Sequence, residues 1–461
     1  METALLIDIG STYTKVSLVD LREARLVERA QYHTTVAEGI DIGLSKALAQ
    51  VAGWEKARYK LACSSAAGGL KIIAIGFVPG MTAEAARRAA LGAGSRVLKT
   101  YSYELTEDDL ASILEENPDL ILLTGGTDGG NKENIISNAR KLAGLPLRQP
   151  VIIAGNRNAS AEVEDILSRT GKEVYVTENV MPELDKLNIE PARKLIRKIF
   201  LEKIVEAKGL STVNKYIDGI IMPTPSAVLK AASLLADGTD EEAGLGELMV
   251  VDPGGATTDV YSIAEGRADS RKVYYQGLEE PYQKRTVEGD LGLRHSLPGL
   301  LEAITMEFLT GQLREMDIGK EDFQALIDKL AGETEILTTG KEKEIERFLA
   351  YHAVRIAVER HVGRLRTIYT PSGSTYIQEG KDLRKIKYLI GTGGVIVHNQ
   401  EPASIIAGAL HENQANPELL APLYPEILLD QEYILAAAGL LSEVEPEISL
   451  RLMKNSIKRI K

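Results

Sequence analysis

Two short stretches in opposite halves of the chain carry one pattern: Leu5 to Asp20 reads LLIDIGSTYTKVSLVD, and Val250 to Ile263 reads VVDPGGATTDVYSI. Each is an apolar strand ending on an aspartate (Asp8, Asp252), then a turn of small residues, then a Thr-containing second strand. A hairpin repeated so far along a chain constrains the fold to one that uses the same device twice, with both copies directed at one ligand. Small residues let backbone N–H groups approach an anion closely, so the two turns suit the two sides of a polyphosphate. In the first, Gly10, Ser11 and Thr12 turn the chain, Ser11, Thr12 and Thr14 offer hydroxyl donors, and Lys15 offers a positive charge. A carboxylate at the strand end repels phosphate, so Asp8 reads as an outer ligand of a magnesium ion, through water. The second hairpin repeats this with Asp252, Gly254, Gly255, Thr257 and Thr258; Asp259, in its second strand, suits a base or a water-orienting group. Taken singly, either hairpin is equally an ordinary tight turn in a sheet; the pair points to a ligand.

A chain of 461 residues is too long for one core and implies two or three domains. With 54 Lys and Arg against 66 Asp and Glu, the net charge of −12 argues against nucleic-acid or anionic-membrane partners. The exception is the basic tail, with Arg451, Lys454, Lys458, Arg459 and Lys461, which reads as a solubilising end. Cys63 is the only cysteine, so no internal disulfide forms and an iron–sulfur cluster lacks its thiolates; this fits a reducing cytoplasm. No signal-peptide pattern opens the chain, and its best apolar stretches, near Ile217–Ala236 and Tyr433–Leu441, are broken by proline or too short to span a bilayer.

Residues 1–57 read as strand, strand, strand and a helix from about Glu38 to Val51, the N-terminal part of a first lobe. Residues 58–180 alternate short apolar strands with helices, which predicts an inserted, largely parallel α/β layer of its own. Its strands are Lys60–Ser64, Ile72–Val78, Arg96–Tyr101, Leu120–Thr124, Val151–Ala154 and Glu173–Val176. Within it, Asp119–Gly130 (DLILLTGGTDGG) runs from a strand into two Gly pairs around Asp128, at the sheet edge where ligands bind; a bare Gly-rich turn is the other reading. Residues 181–247 link the lobes, with a basic amphipathic helix over 190–208 and a small-residue helix after Pro223 and Pro225. Residues 248–400 form a second lobe, and residues 401–461 add closing helices and the basic tail. In the second lobe, Glu288 and Asp290 lie in a turn that reads as a surface cap or a reach into the cleft. Residues 298–368 read as helical, with an amphipathic run from Lys341 to Tyr369. His352 and His361 on that run have no metal-ligand partner at helical spacing and read as structural. Tyr388–Gly394 (YLIGTGG) is a further strand ending in a Gly-rich turn.

These three Gly-rich turns, in this order, resemble the actin, Hsp70 and sugar-kinase superfamily over residues 4–20, 217–263 and 388–441. The resemblance implies a two-lobed α/β ATPase fold of duplicated ribonuclease H-like domains, here carrying the additional inserted α/β region. It further implies ATP and Mg2+ as ligands. Gly10, Ser11, Thr12, Tyr13 and Lys15, with Gly254, Gly255, Ala256 and Thr257, would hold phosphates, and Gly393 and Gly394 the adenosine. Asp8 and Asp252 would address the metal and act in catalysis with Asp259, whose spacing from Asp252 matches the Hsp70 pattern D-x-G-G-G-T-x-D. Ile217–Ala232 and Tyr433–Leu441 resemble the two crossing helices of that superfamily.

A closer likeness lies in DIGSTYTK, CSSAAGGL (Cys63–Leu70), LLTGGTDGGN (Leu122–Asn131) and KRTVEGDLGLR (Lys284–Arg294), which together resemble the MutL (GlmL) family. Its members accompany adenosylcobalamin-dependent glutamate mutase and related aminomutases and are unrelated to the mismatch-repair protein of the same name. The resemblance implies a chaperone-like reactivase acting on such a mutase, with homo-oligomers possible. Departures from the Hsp70-type pattern imply slow ATP turnover: Pro253 removes an N–H donor, and Ala256 adds a Cβ where Gly is usual. Met222-Pro223 stands where Glu-Pro serves the metal-bound water, and Val395 follows Gly394 where Ser is usual. A small-molecule kinase and a non-catalytic actin-like scaffold remain open on the same scaffold. No Asp-x-His-x-x-Gly surrounds any of the six histidines, which argues against a cobalamin enzyme itself.

Overall fold

A computed structural model describes residues 2–35, 39–65, 70–204, 213, 215–268, 273–304, 309, 313, 318–331, 340–371, 373–414 and 416–460. The chain forms two compact units. The first comprises Met1–Val19, Val27–Ala227 and Gly277–Glu279, the second Asp20–Leu26, Val228–Gln276 and Glu280–Lys461.

The strands of the first unit are β1 (Thr3–Ile9), β2 (Tyr13–Asp20), β3 (Arg25–His33), β4 (Tyr59–Ser64), β5 (Lys71–Ile75), β6 (Arg96–Tyr101), β7 (Leu120–Leu123), β8 (Val151–Ile153), β9 (Val174–Val176) and β10 (Gly219–Pro223). One sheet has the order β10-β4-β1-β2-β3. Strand β4 runs parallel to β1, and β10 parallel to β4. The sequence pattern grouped the strand Lys60–Ser64 with the inserted region; as β4 its partner is β1 instead, because an apolar run such as LACS pairs wherever both of its faces are covered.

The remaining strands build a second sheet, β6-β5-β7-β8-β9, parallel throughout. Helices Glu84–Gly92, Glu107–Glu116, Glu133–Ala143 and Arg157–Ser168 connect them. Period-two alternation decides which core each side chain joins. Ile72, Ala74, Leu120, Leu122 and Ile152 join Leu5, Ile7 and Ile9 of the first sheet in one cluster. Ile73, Ile75, Ile121, Leu123 and Ile153 point the other way, into a cluster with Leu110, Ile113, Ile135 and Val163. The inserted layer is therefore self-contained on one face only; on the other it shares the core of the first sheet.

The second unit contains β11 (Leu248–Pro253), β12 (Thr258–Ile263), β13 (Val273–Gln276), β14 (Gln283–Glu288), β15 (Arg364–Thr370), β16 (Gly373–Glu379), β17 (Tyr388–Gly391), β18 (Glu426–Leu429) and β19 (Lys458–Arg459). Its main sheet is β14-β12-β11-β17-β18-β19. β14 and β11 flank β12 antiparallel, β17 is parallel to β11, and β18 to β17. Counted by order along the chain within each sheet, both main sheets read third, second, first, fourth, fifth, and the second adds β19 as a sixth strand at its edge. This is the ribonuclease H-like order, present once in each unit, so the α/β fold is duplicated as the resemblance implies, with the five-stranded parallel sheet inserted in the first copy.

Helix Thr224–Asp237 carries the chain from one unit into the other at Ala227–Val228. It begins two residues earlier than the prolines suggested, since Pro225 sits in the first turn, where a missing N–H costs nothing. The Lys341–Tyr369 run is corrected. The helix covers Gly340–His361 and stops; β15 follows. A Cβ on Gly363 would lie 2.5 Å from the Glu379 carbonyl oxygen, so the glycine lets β15 start against β16, and the alternating RLRTIYT is strand-forming. The rest of the 298–368 expectation is helical at Leu297–Ile304 and Lys320–Ala331; residues 305–308, 310–312, 314–317 and 332–339 lie outside the described residues. So do residues 66–69 of the CSSAAGGL segment and 205–208 of the basic helix. Among the described residues no helix is long and apolar enough to cross a membrane.

Candidate functional site

Each unit places one of the two sequence-matched turns at the end of its first strand. Strand β1 is buried along its whole length and delivers Asp8 near its end. The Gly10 N–H donates to the Tyr13 carbonyl at 3.0 Å, closing the turn that leads into β2. A Cβ on Gly10 would stand 2.7 Å from that same carbonyl oxygen, which is why glycine is needed there. In the second unit, β11 delivers Asp252, and the Gly254 N–H donates to the Thr257 carbonyl at 2.8 Å. The two turns share one bonding pattern at one offset from their aspartates.

Both turns leave backbone donors without a protein acceptor. Among the described residues, the N–H groups of Ser11 and Thr12 and those of Gly255 and Ala256 donate to no protein acceptor. The carbonyl groups of the second turn are held from behind. Leu293 N–H donates to Gly254 O, Arg294 and His295 N–H to Gly255 O, and the Ser296 hydroxyl to Ala256 O. Gly292 lies so close beneath that a Cβ there would be 2.5 Å from the Ala256 carbonyl carbon. The segment KRTVEGDLGLR thus has a physical role: it grips the acceptor side of the turn and leaves the donor side for an anion.

The aspartates differ in their company. Lys15 stands opposite Asp8 and donates to Oδ2 at 3.0 Å; the Thr224 hydroxyl donates to Oδ1 at 2.7 Å. The Cys63 thiol lies 3.7 Å from Oδ1, and burial, with the charge of Asp8, raises its pKa well above the usual thiol range. It is an inert neutral neighbour. In the second hairpin the register pairs Asp252 with Asp259. Asp259 is neutralised in turn: Arg285 of β14 donates to Oδ1 from Nε at 2.8 Å and from Nη2 at 2.7 Å, and the Thr257 hydroxyl donates to Oδ2 at 2.9 Å. Arg285 is buried; burial disfavours its charge, but Asp259 and Tyr261 outweigh that and raise its pKa.

Strand β17 lies parallel to β11 with Gly391 beside Val251, which carries the third Gly-rich turn to Asp252. Gly393 has φ +91°, and a Cβ there would lie 2.6 Å from Asp252 Oδ1 and 2.9 Å from the Pro253 carbonyl oxygen. The Gly394 α-carbon faces open space. Thr392 Oγ1 donates to buried Asp430, which also accepts the Ile434 and Leu435 N–H groups and so ties this turn to helix Leu435–Leu441.

In the second unit the structure brings together Asp252, Gly254, Gly255, Ala256, Thr257, Asp259 and Gly393; in the first, Asp8, Gly10, Ser11, Thr12, Tyr13 and Lys15. The acceptor-free N–H pairs and the glycine-only contact at Gly393 fit a polyphosphate ligand. Sequence reasoning missed Thr224, Arg285, Thr392 and Asp430. The signals were a Thr directly after the Met-Pro pair, an Arg inside an otherwise unexplained motif, and polar residues in apolar strand ends. Asp128 is bound into its own loop, accepting from the Arg157 N–H and from Asn179 Nδ2. Glu288 and Asp290 both bind Arg360. His361 is fully bonded between Thr286 and Ser262.

The family profile described as MutL protein matches residues 4–457. Protein MutL of Clostridium tetanomorphum is 48% identical over the full length of both chains. Among solved structures, the chain is similar to ligand-bound xylulose kinase from Lactobacillus acidophilus (11% identity, TM-score 0.35, covering 100% of this chain and 93% of that one). It is also similar to the ethanolamine utilization protein EutJ from Carboxydothermus hydrogenoformans (9% identity, TM-score 0.26, 97% and 90%).

Proposed function

The chain belongs to the MutL protein family, and we propose that it binds Mg2+·ATP, turns it over slowly and serves as a reactivating factor for an adenosylcobalamin-dependent mutase of the glutamate mutase or aminomutase type. The observation that carries the nucleotide part is the matched pair of turns, each with the same closing hydrogen bond and the same two N–H groups without a protein acceptor. In this reading the N–H groups of Ser11 and Thr12 donate to phosphoryl oxygens at the first hairpin, those of Gly255 and Ala256 do so at the second, and Gly393 and Gly394 accept the adenosine. The metal supplies charge neutralisation of the phosphates. Asp252 addresses it. Asp8 has Lys15 on one oxygen and Thr224 on the other, so it reaches the metal only through water or by exchanging one of these partners.

Slow turnover follows from the carboxylates. A general base needs a lone pair aimed at the attacking water. Asp259 accepts two N–H groups of Arg285 on Oδ1 and the Thr257 hydroxyl on Oδ2, so it is held as an orienting group paired to a guanidinium. The energetic requirement of a reactivase is that ATP and ADP favour different conformations of the protein. Two measurements test the proposal. Calorimetry of the purified chain should give ATP binding that Mg2+ strengthens, and the purified mutase, inactivated by damaged cobalamin, should recover activity when the chain, ATP and fresh cofactor are added. Absence of ATP-dependent recovery would remove the mutase role and leave the nucleotide role standing.

A further inference from the structure

Thr257 sits in the second turn with its hydroxyl facing a carboxylate whose own role is set from the other side. Arg285 binds Oδ1 of Asp259 through two N–H groups, and both residues are buried. A carboxylate paired with a guanidinium is a pure acceptor. In the 2.9 Å contact between Thr257 Oγ1 and Asp259 Oδ2, the hydrogen therefore belongs to Thr257. A threonine hydroxyl has one hydrogen and two lone pairs. Its hydrogen is committed inward and its backbone carbonyl is held by the Gly254 N–H, so the hydroxyl has only lone pairs left to offer a ligand. The neighbouring Thr258 shows the contrast: it is fully buried and donates to the Leu291 carbonyl at 2.6 Å.

We propose that the relay Arg285–Asp259–Thr257 makes Thr257 an acceptor toward the bound nucleotide complex, so that it recognises the magnesium ion or a metal-bound water and not the phosphoryl oxygens. The inference rests on the Mg2+·ATP reading and goes beyond it by assigning a polarity to one hydroxyl. Ionised phosphoryl oxygens have no hydrogen to give, so Thr257 meets them lone pair to lone pair. A cation or its hydration water is the complementary partner. Asp259 is then a positioning residue, and Arg285 fixes it.

The test is calorimetric titration of the full chain with ATP in the presence of Mg2+ and, separately, in a chelator, for wild type, Thr257→Val, Thr257→Ser and Asp259→Asn, each checked for folding by its thermal transition. Thr257→Val should weaken Mg2+·ATP binding about tenfold and leave metal-free ATP binding unchanged. Thr257→Ser should restore wild-type behaviour in both buffers. In Asp259→Asn the new amide N–H donates to Thr257 and turns its hydrogen outward, so metal-free ATP should bind more tightly than to wild type. An equal loss in both buffers for Thr257→Val means that the hydroxyl donates to phosphate, and this overturns the proposal, as does no loss in either. Wild-type protein that binds ATP in neither buffer removes the nucleotide reading itself, and the metal role of Thr257 with it.

Discussion

At the scale of single residues, two glycines hold the most specific positions in the candidate site. Gly393 combines φ +91° with a would-be Cβ contact of 2.6 Å to Asp252 Oδ1. Gly393→Ala must adopt a backbone conformation nearly reserved for glycine, at about 1–3 kcal/mol, and push Asp252 aside. The expected outcome is a lower thermal transition and loss of Mg2+-dependent ATP affinity, read by calorimetry. Gly10→Ala meets the Tyr13 carbonyl and should open the first turn with a similar loss. A Gly10→Ala protein with unchanged stability would mean that the closing hydrogen bond is not what shapes the turn. Much at this scale was legible beforehand: Asp8, Gly10, Asp252 and Gly254 stand out because strand ends and small-residue turns are local features. What the sequence hid was partnership. Nothing near Asp259 in the chain announces Arg285, because the two meet across strands β12 and β14.

At the scale of elements, helix Gly340–His361 acts as a brace for the second turn. Arg360, near its end, grips Glu288 and Asp290 at 2.7–2.9 Å, just before the segment that holds Gly254–Ala256 from behind. Arg360→Ala should weaken ATP binding several-fold while leaving the fold intact, whereas Arg360→Lys, which loses the two-pronged contact, should recover little of it. The same helix carries a pH sensitivity. His352 is buried beside Phe348 and Tyr351, and desolvation, with the charge of Arg355, lowers its pKa to about 4 from 6.5. The unfolded chain then binds the proton more readily than the folded one, so stability is full above about pH 6.5 and lost as pH falls toward 4. The loss amounts to roughly 3 kcal/mol. Denaturant unfolding of wild type and His352→Gln across that window should show the difference between them shrinking as pH falls. A pH-independent difference would rule this titration out.

At the scale of the whole molecule, the duplicated strand order gives the proposed function its most discriminating test. If the turns receive nucleotide, hydrogen exchange on adding Mg2+·ATP should slow at Ser11–Thr12 and at Gly255–Ala256. A hairpin that gains no protection would lose its assigned phosphate role. The sequence by itself determined the turns, the strands of the inserted region to within a few residues, and the family, since each of these is written in local periodicity or contiguous motif. It also carried the duplication, visible as two hairpins of one pattern. Only the tertiary structure decided that Tyr59–Ser64 joins the first sheet, that the inserted layer shares a core with it, and that Thr224 holds Asp8 while Arg285 holds Asp259. Those outcomes depend on which remote strand supplies a neighbour. An apolar run states that it will be buried, but hydrophobicity has no direction, and the partner is chosen by the closure of the sheet as a whole.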